Sequence, residues 1–137
     1  MPKLVLGVLV ALVVAVGAGW FWGRSGRWDC DRALRAIELR SDLVEARSSV
    51  IDARVDLYNV DFGDASRHLE SAKGLVRRAA DRLKTDGRQD EAKRLDAALS
   101  RIDEAQHLAG RLDQGANSRA ADVAKTIEDA LGTGAKR

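Results

Sequence analysis

Glu104 and His107 are the residues of this chain whose spacing best matches metal chemistry. Three positions apart on a helix, they place a carboxylate and an imidazole on one face, as in the di-iron sites of helical bundles. Such a site needs a second pair of this kind and further glutamates. The only other histidine, His68, has Asp64 one turn before it. Because solvated helix faces account for both histidines, we predict no metal and no other cofactor.

The sequence contains no arrangement for nucleophilic catalysis or phosphate binding. Predicted helices or their caps, without the flanking glycines of a nucleophile elbow, hold the serines at 41, 48, 49, 66, 71, 100 and 118. Its glycines lie in the first apolar stretch, just after it, at predicted helix ends and, for Gly74, inside a predicted helix, so none builds a phosphate-cradling loop. Asp81 interrupts a basic cluster, as is typical of a solvated helix face: Arg77, Arg78, Arg82 and Lys84. We therefore predict that the protein is not an enzyme and has no small-molecule substrate.

The charge balance argues against nucleic-acid binding. The chain has 23 Lys and Arg residues and 21 Asp and Glu residues. Without residues 1–23, which contribute only Lys3, these totals become 22 and 21. Because basic and acidic residues are almost equal in number, the chain has no basic field that would attract phosphates. We predict no nucleic-acid partner.

The longest apolar stretch, residues 4–22, has no charged side chain. Its length of about 19 residues at ~1.5 Å each gives a helix of ~28 Å, close to the hydrocarbon thickness of a bilayer. Amphipathic rings favour the headgroup layer, and four aromatic residues cluster near its end: Trp20, Phe21, Trp22 and Trp28. We therefore predict a single transmembrane anchor at 1–23, with the lipid bilayer as a partner.

The same segment also has the order of a cleaved signal peptide, with Lys3, an apolar region and small residues at 16–18. Against cleavage, the aromatic residues at 20–22 extend the apolar run beyond that point. We favour an uncleaved signal-anchor in the cell membrane. Secretion of the helical domain after cleavage is the alternative.

The orientation of the anchor has two interpretations. Four arginines soon after the apolar stretch outnumber Lys3 and the terminal amine, which favours a cytoplasmic C-terminal domain by the positive-inside rule: Arg24, Arg27, Arg32 and Arg35. The usual bacterial export geometry instead keeps a short basic N-terminus inside and favours a periplasmic domain. We favour the exported side and keep the cytoplasmic side open.

The composition beyond the anchor predicts an all-α fold. Proline occurs only at position 2, alanine is abundant, and strand-type alternation is absent outside 4–22. Gly23 and Gly26 indicate a juxtamembrane linker at 24–29. An antiparallel bundle of three or four helices at 30–131 and a flexible tail at 132–137 follow. The helices are predicted at about 30–59, 64–84 and 89–112, and from Asn117 or Ser118 to Gly132. Asp61 or Asp64 can cap the second, and Gly87 can be left-handed after it.

The first bundle helix has two apolar stripes, so we expect it to pack against more than one neighbour. One stripe has heptad spacing: Leu34, Ile37, Ser41, Val44, Ser48, Ile51, Val55 and Tyr58. The other runs through Leu39, Leu43, Ala46, Val50, Ala53, Leu57 and Val60. This helix is also longer than the second. Leu34, Ile37 and Leu39 are therefore expected to overhang the bundle, unless the later helices cover them.

The turn after this helix and the second helix resemble a tetratricopeptide repeat hairpin. The matching intervals involve Ala53, Phe62, Ala65, Leu69 and Ala72. Gly87 and Ala92 repeat the turn part. However, 27 residues separate Ala65 from Ala92 where the family repeats every ~34, and the early Trp and the closing Pro are missing. The resemblance implies a helical-hairpin scaffold that binds proteins.

These patterns predict a membrane-anchored, non-catalytic scaffold or adaptor that binds a protein partner or a second copy of itself. The expected contact residues are Leu34, Ile37 and Leu39 near the membrane, with Tyr58 and Phe62 at the distal tip. An accessory subunit held in a larger membrane complex is the alternative, with its anchor packed through Gly7, Ala11 and Ala15. Cys30, the single cysteine, either bridges to the same residue of a second chain or stays a free thiol.

Overall fold

The structure is a computed structural model that describes the backbone of residues 2–134 and the side chains of residues 7, 13–16 and 30–133. Four helices follow one another: α1 (Pro2–Tyr58), α2 (Phe62–Thr85), α3 (Gln89–Gly110) and α4 (Gly115–Gly134). The described backbone contains no strand, so the predicted all-α class and the helical bundle are confirmed. The chain divides into two compact units, Met1–Ile37 and Glu38–Arg137, and α1 contributes residues to both.

Helix α1 continues without a break through residues 24–29. The glycines at 23 and 26 predict an interruption there, but both lie in the helical backbone. A glycine inside a helix costs only about 1 kcal/mol relative to alanine. No proline in this region removes a backbone hydrogen bond. The predicted helix start near Cys30 is therefore too late.

The helices of the C-terminal unit are antiparallel, as their ion pairs show. Lys84 Nζ of α2 lies 3.1 Å from Asp96 Oδ1 of α3, and Lys73 Nζ lies 2.6 Å from Asp103 Oδ1. Residue numbers therefore decrease along α2 in the direction in which they increase along α3, as in an antiparallel pair. Polar contacts follow the same order between α3 and α4, and between α1 and both α2 and α4. Short connections enforce this arrangement.

Alanine supplies half of the buried apolar side chains in this bundle. On α2, Ala65, Ala72 and Ala79 recur every seven residues, each completely inaccessible to solvent, with Leu69 and Val76 between them. Small side chains let helices approach closely, and larger ones fill the space between them. The buried apolar residues among the described side chains form one continuous cluster. The bundle therefore has a single core, to which α1 contributes only one of its faces.

The three turns of the bundle share one geometry. After α1, Asp61 N donates to Asp56 O at 2.8 Å and Val60 N donates to Leu57 O at 3.3 Å. This pair of bonds is a Schellman motif, with Val60 left-handed at φ 64°. The same bonds recur after α2 and α3. Their left-handed residues are Gly87 (φ 76°), as the sequence predicts, and Leu112 (φ 56°).

The observed boundaries of α2 and α3 lie within two residues of the predicted ones. Asp61 is the N-cap of α2, and its side chain accepts a hydrogen bond from Asp64 N at 3.1 Å. The predicted start of the fourth helix at Asn117 or Ser118 is wrong. Helix α4 begins at Gly115, whose N–H donates to Asp113 Oδ1 at 2.8 Å. Asp113 thereby provides the side-chain hydrogen bond at the start of α4 that the sequence predicts for Asn117 or Ser118.

Candidate functional site

The two apolar stripes of α1 have opposite environments within the bundle. The stripe that begins at Leu39 is buried as far as Leu57: Leu39, Leu43, Ala46, Val50, Ala53 and Leu57. The heptad stripe lies on the surface, and we call its bundle portion the outer seam: Ser41, Val44, Ser48, Ile51, Val55 and Tyr58. One prediction is therefore wrong in part, because only the buried stripe packs against neighbours in this chain. Val60, the predicted end of that stripe, is exposed in the turn.

The outer seam exposes large apolar side chains. The accessible fraction is 50 % for Val44, 38 % for Ile51, 55 % for Val55 and 82 % for Tyr58. Single exposed apolar residues are common on protein surfaces and need no explanation. Exposed apolar side chains that recur at regular spacing on one face of a helix form a patch of the kind that marks an interaction site. The seam is thus the candidate docking surface of the bundle.

Charged residues border the outer seam in two rows of opposite sign. The basic row consists of Arg40, Arg47 and Arg54, and the acidic row consists of Glu38, Glu45 and Asp52. Each row recurs every seven residues, in step with the seam. The sequence contains this signal, but a search for apolar spacing alone does not find it.

Some members of the two rows already have partners within the bundle. Arg54 Nε donates to Asn117 Oδ1 at 3.0 Å, and Arg47 Nη2 lies 3.6 Å from Glu128 Oε2. Glu38 forms an ion pair with Arg82. Within the described part of the chain, the side chains of Arg40, Glu45 and Asp52 make no hydrogen bond or ion pair. These three groups are available to a partner.

Asp42 fixes the rotation of α1 on the bundle. It is the one charged residue among the described side chains that is classed as buried. Its Oδ1 accepts from Arg78 Nη2 and its Oδ2 from Arg82 Nε, both at 3.2 Å. Burial acts to lower the pKa of Arg82, but the hydrogen bond and charge of Glu38, together with Asp42, raise it overall. The guanidinium therefore stays charged, and this network connects α1 to α2.

The predicted contact residues divide between surface and core. Leu34 and Ile37, in the N-terminal unit, are 52 % and 65 % exposed. Leu39 is 8 % exposed, so its predicted availability to a partner is wrong. It lies on the buried stripe. Tyr58 is exposed at the end of α1, whereas Phe62 is half-buried and packs against the core.

The predicted membrane residues lie mostly outside the described side chains. Trp20, Phe21, Trp22, Trp28 and Ala11 all fall outside them, whereas Gly7 and Ala15 are described and exposed. Among the described residues, no helix has both the length and the apolar character needed to cross a membrane.

The residues considered for metal chemistry do not converge. Glu104 Oε1 lies 3.0 Å from Arg119 Nε, and His107, one turn away, is exposed. His68 Nε2 faces Asp56 Oδ2 of α1 at 3.6 Å, and Asp64 pairs with Arg67. Within the described residues, no three His, Cys, Asp or Glu side chains come close enough to hold a metal ion.

The residues that resemble a tetratricopeptide hairpin have packing positions. Ala53, Ala65, Leu69 and Ala72 are buried between α1, α2 and the rest of the core, with Phe62 beside them. Small residues at such positions serve any closely packed helix pair. Comparison of the chain with protein-family models, curated proteins and solved structures finds no match.

Proposed function

We propose that this chain is a membrane-tethered, non-catalytic helical bundle that binds a protein partner through the outer seam of α1. One observation carries the proposal: α1 buries one apolar stripe from Leu39 to Leu57 and leaves a second, heptad-spaced stripe exposed. A heptad repeat is the spacing with which one helix accepts knobs from another. The core cluster includes the buried stripe and no residue of the exposed stripe.

The tether is proposed from residues 4–22, which are apolar and long enough to cross a bilayer. The test is flotation of the full chain with phosphatidylcholine vesicles. Replacing Leu9 and Val13 with arginine puts two charges at the membrane centre, each costing about 2.5–3.5 kcal/mol. We expect the variant to leave the vesicle fraction. The control Ala97→Arg, at an exposed site on α3, should float normally. Failure of the unmodified chain to float would refute the tether.

Docking is tested by a photoreactive phenylalanine derivative placed at Val55 in the full chain in membranes. We expect light to produce an adduct with a protein. Ile51→Asp, which puts a charge in the seam, should remove it. The same photoreactive residue at Ala97, an exposed site on α3, is the matched control. Equal adducts at both positions, or none at Val55, would contradict a docking role for the seam.

We also propose that the bundle lies on the exported side of the membrane. A membrane-impermeant maleimide should then label Lys93→Cys in intact cells, in a Cys30→Ser background. Lys93 is exposed on α3, so labelling reports which side the bundle faces. Labelling that requires cell lysis would place the bundle in the cytoplasm instead.

An accessory subunit held through its anchor is the second candidate. Its support is that Gly7 and Ala15 are exposed and that a Cβ at Gly7 would meet nothing within 4 Å. Gly7, Ala11 and Ala15 are four residues apart, and small residues at this spacing permit close packing of membrane helices. Exchange of residues 4–22 for an unrelated apolar helix separates the two candidates. Adducts from Val55 survive the exchange if the seam docks the partner, and they disappear if the anchor does.

A further inference from the structure

We infer that the outer seam binds the outer seam of a second copy of this chain, with the two α1 helices parallel and in register. The inference rests on the proposed docking role of the seam and identifies its partner. Charged side chains flank the seam in a regular pattern, and those side chains are available in the folded bundle.

The seam sets the register of a coiled coil. In a heptad written abcdefg, the apolar contact positions are a and d. Ser41, Ser48 and Val55 then occupy a, while Val44, Ile51 and Tyr58 occupy d. The buried stripe falls on positions c and f, on the opposite side of the helix. A second helix therefore approaches the seam without disturbing the bundle core.

The same register places the two charged rows beside the seam. Arg40, Arg47 and Arg54 occupy the g positions, and the acidic residues occupy the e positions. These are the positions whose charges decide partner choice and orientation in coiled coils. Every charged g residue of the bundle portion is basic and every charged e residue is acidic, so the pattern is unmixed.

This pattern fits a parallel, in-register arrangement of two copies. In a parallel, in-register pair, each g residue faces the e residue five positions further along the other helix. Arg40 then faces Glu45 of the second copy, and Arg47 faces Asp52 of the second copy; each contact occurs twice by symmetry. In an antiparallel pair, g faces g and e faces e, which would oppose arginine to arginine and acid to acid. The charges therefore favour the parallel pair and disfavour the antiparallel one.

The groups needed for these contacts are available in the bundle. The side chains of Arg40, Glu45 and Asp52 make no hydrogen bond or ion pair within the described residues. The Arg47 side chain is 41 % exposed, and its Nη2 has only the 3.6 Å approach to Glu128. Pairing with a second copy thus supplies partners without breaking an internal hydrogen bond.

The proposed membrane tether also favours a parallel pair. If residues 4–22 cross the membrane, both copies enter it at their N-termini, so neighbours in one membrane have the same direction. The heptad spacing of the outer seam also continues towards the N-terminus, with Leu34 at an a position, Ile37 at d and Asp31 at e. Both residues Leu34 and Ile37 are exposed.

The first experiment swaps one charge pair in the full chain. Copies carrying donor or acceptor fluorophores at their C-termini are mixed in phosphatidylcholine vesicles, and energy transfer is titrated against protein density. Arg40→Glu and Glu45→Arg should each weaken association roughly tenfold, because attractive pairs become repulsive. The double variant should restore it. Arg94→Glu, the same charge change at an exposed site on α3, should have no effect.

The outcomes of the swap are distinct. Stronger association of a single variant would indicate an antiparallel pair and overturn the proposal. Weakening that the double variant does not restore would indicate a different partner surface and also overturn it. Unchanged circular dichroism of all variants shows that the bundle is folded, as expected for exposed residues without internal contacts.

The second experiment maps the contact directly. Ile51→Cys in a Cys30→Ser background should form a disulfide-linked dimer in vesicles on mild oxidation, since d positions of the two helices face each other. Lys93→Cys on α3 should not. Absence of the dimer at Ile51 would overturn the proposal.

These experiments separate this inference from the proposed function. Loss of copy-to-copy cross-linking, with flotation intact and a heterologous adduct at Val55, would remove the dimer and leave the docking role. A chain that dimerises but does not float would remove the membrane tether and leave the dimer.

Discussion

Single residues at the helix ends decide how the turns of the bundle form. Val60 and Leu112 adopt the left-handed conformation that glycine adopts at Gly87. The sequence predicts only the glycine, because a branched or bulky residue disfavours this conformation by about 1–2 kcal/mol. Both side chains are mostly exposed, so packing does not explain their presence. The Schellman hydrogen bonds at these turns impose the conformation.

Replacing Val60 with glycine should therefore stabilise the protein. Relief of the left-handed strain exceeds the entropy that glycine adds to the unfolded chain, and we expect a net gain of about 0.5–1 kcal/mol. Thermal unfolding of the full chain in detergent, followed by far-ultraviolet circular dichroism, measures it. Gly87→Ala is the matched control and should lower stability by about 1 kcal/mol. A lower melting temperature for Val60→Gly would show that the valine contributes contacts which outweigh its backbone strain.

Asp42 is the residue whose loss should affect the bundle most through its charge. Asp42→Ala leaves the guanidinium groups of Arg78 and Arg82 without their shared acceptor, and we expect a loss of about 1–3 kcal/mol. Arg78→Ala should cost less, because that side chain is 58 % exposed and surface pairs contribute little. The same melting experiment compares the two. Equal losses would mean that the buried carboxylate has no special role.

At the level of elements, sequence periodicity predicted the helices and missed which stripe of α1 is buried. Both stripes have helical spacing, so the pattern alone does not rank them. Side-chain volume helps to decide which stripe is buried, because Ala46 and Ala53 on the buried stripe allow α1 to pack closely, as the alanines of α2 also require. The choice also depends on Asp42, whose arginine partners come from distant sequence. Likewise, Leu39 belongs to the core because of its neighbours on other helices, which one segment of sequence does not reveal.

The alanine-rich core of α2 should not accept larger side chains. Ala72→Leu puts three extra carbon atoms where solvent has no access, and overpacking of this kind costs about 1–3 kcal/mol. Ser71→Leu, at the adjacent exposed position, is the matched control and should change stability by less than about 0.5 kcal/mol. Both are measured by thermal unfolding. Tolerance of Ala72→Leu would indicate space between the helices that the structure does not contain.

At the scale of the whole molecule, α1 serves two purposes with opposite faces. Its inner face completes one bundle, and its outer face is proposed to join two bundles. Substitutions on the two faces should therefore differ in kind, affecting folding in one case and association in the other.

The single cysteine offers a whole-molecule test of the parallel pair. Cys30 is exposed and stands two heptads before Val44, which places it at a d position. Mild oxidation of the unmodified chain in vesicles should therefore produce a covalent dimer, visible by electrophoresis without reductant. Cys30→Ser should abolish it. Arg40→Glu should reduce it while leaving the thiol as accessible to maleimide in reductant as before. A dimer that forms equally well in the Arg40→Glu variant would indicate random collision.

Serine at two of the three a positions of the outer seam has a consequence for abundance. A seam with hydroxyls at Ser41 and Ser48 buries less apolar surface than one with branched aliphatic residues. Two such seams should therefore associate weakly. For the proposed membrane-tethered dimer, confinement to a bilayer would raise the effective concentration of neighbouring copies. Pairing would then depend on protein density in the membrane, with sparse copies remaining monomeric and dense copies forming dimers. Two hydroxyl groups would thus set the threshold at which the population changes state.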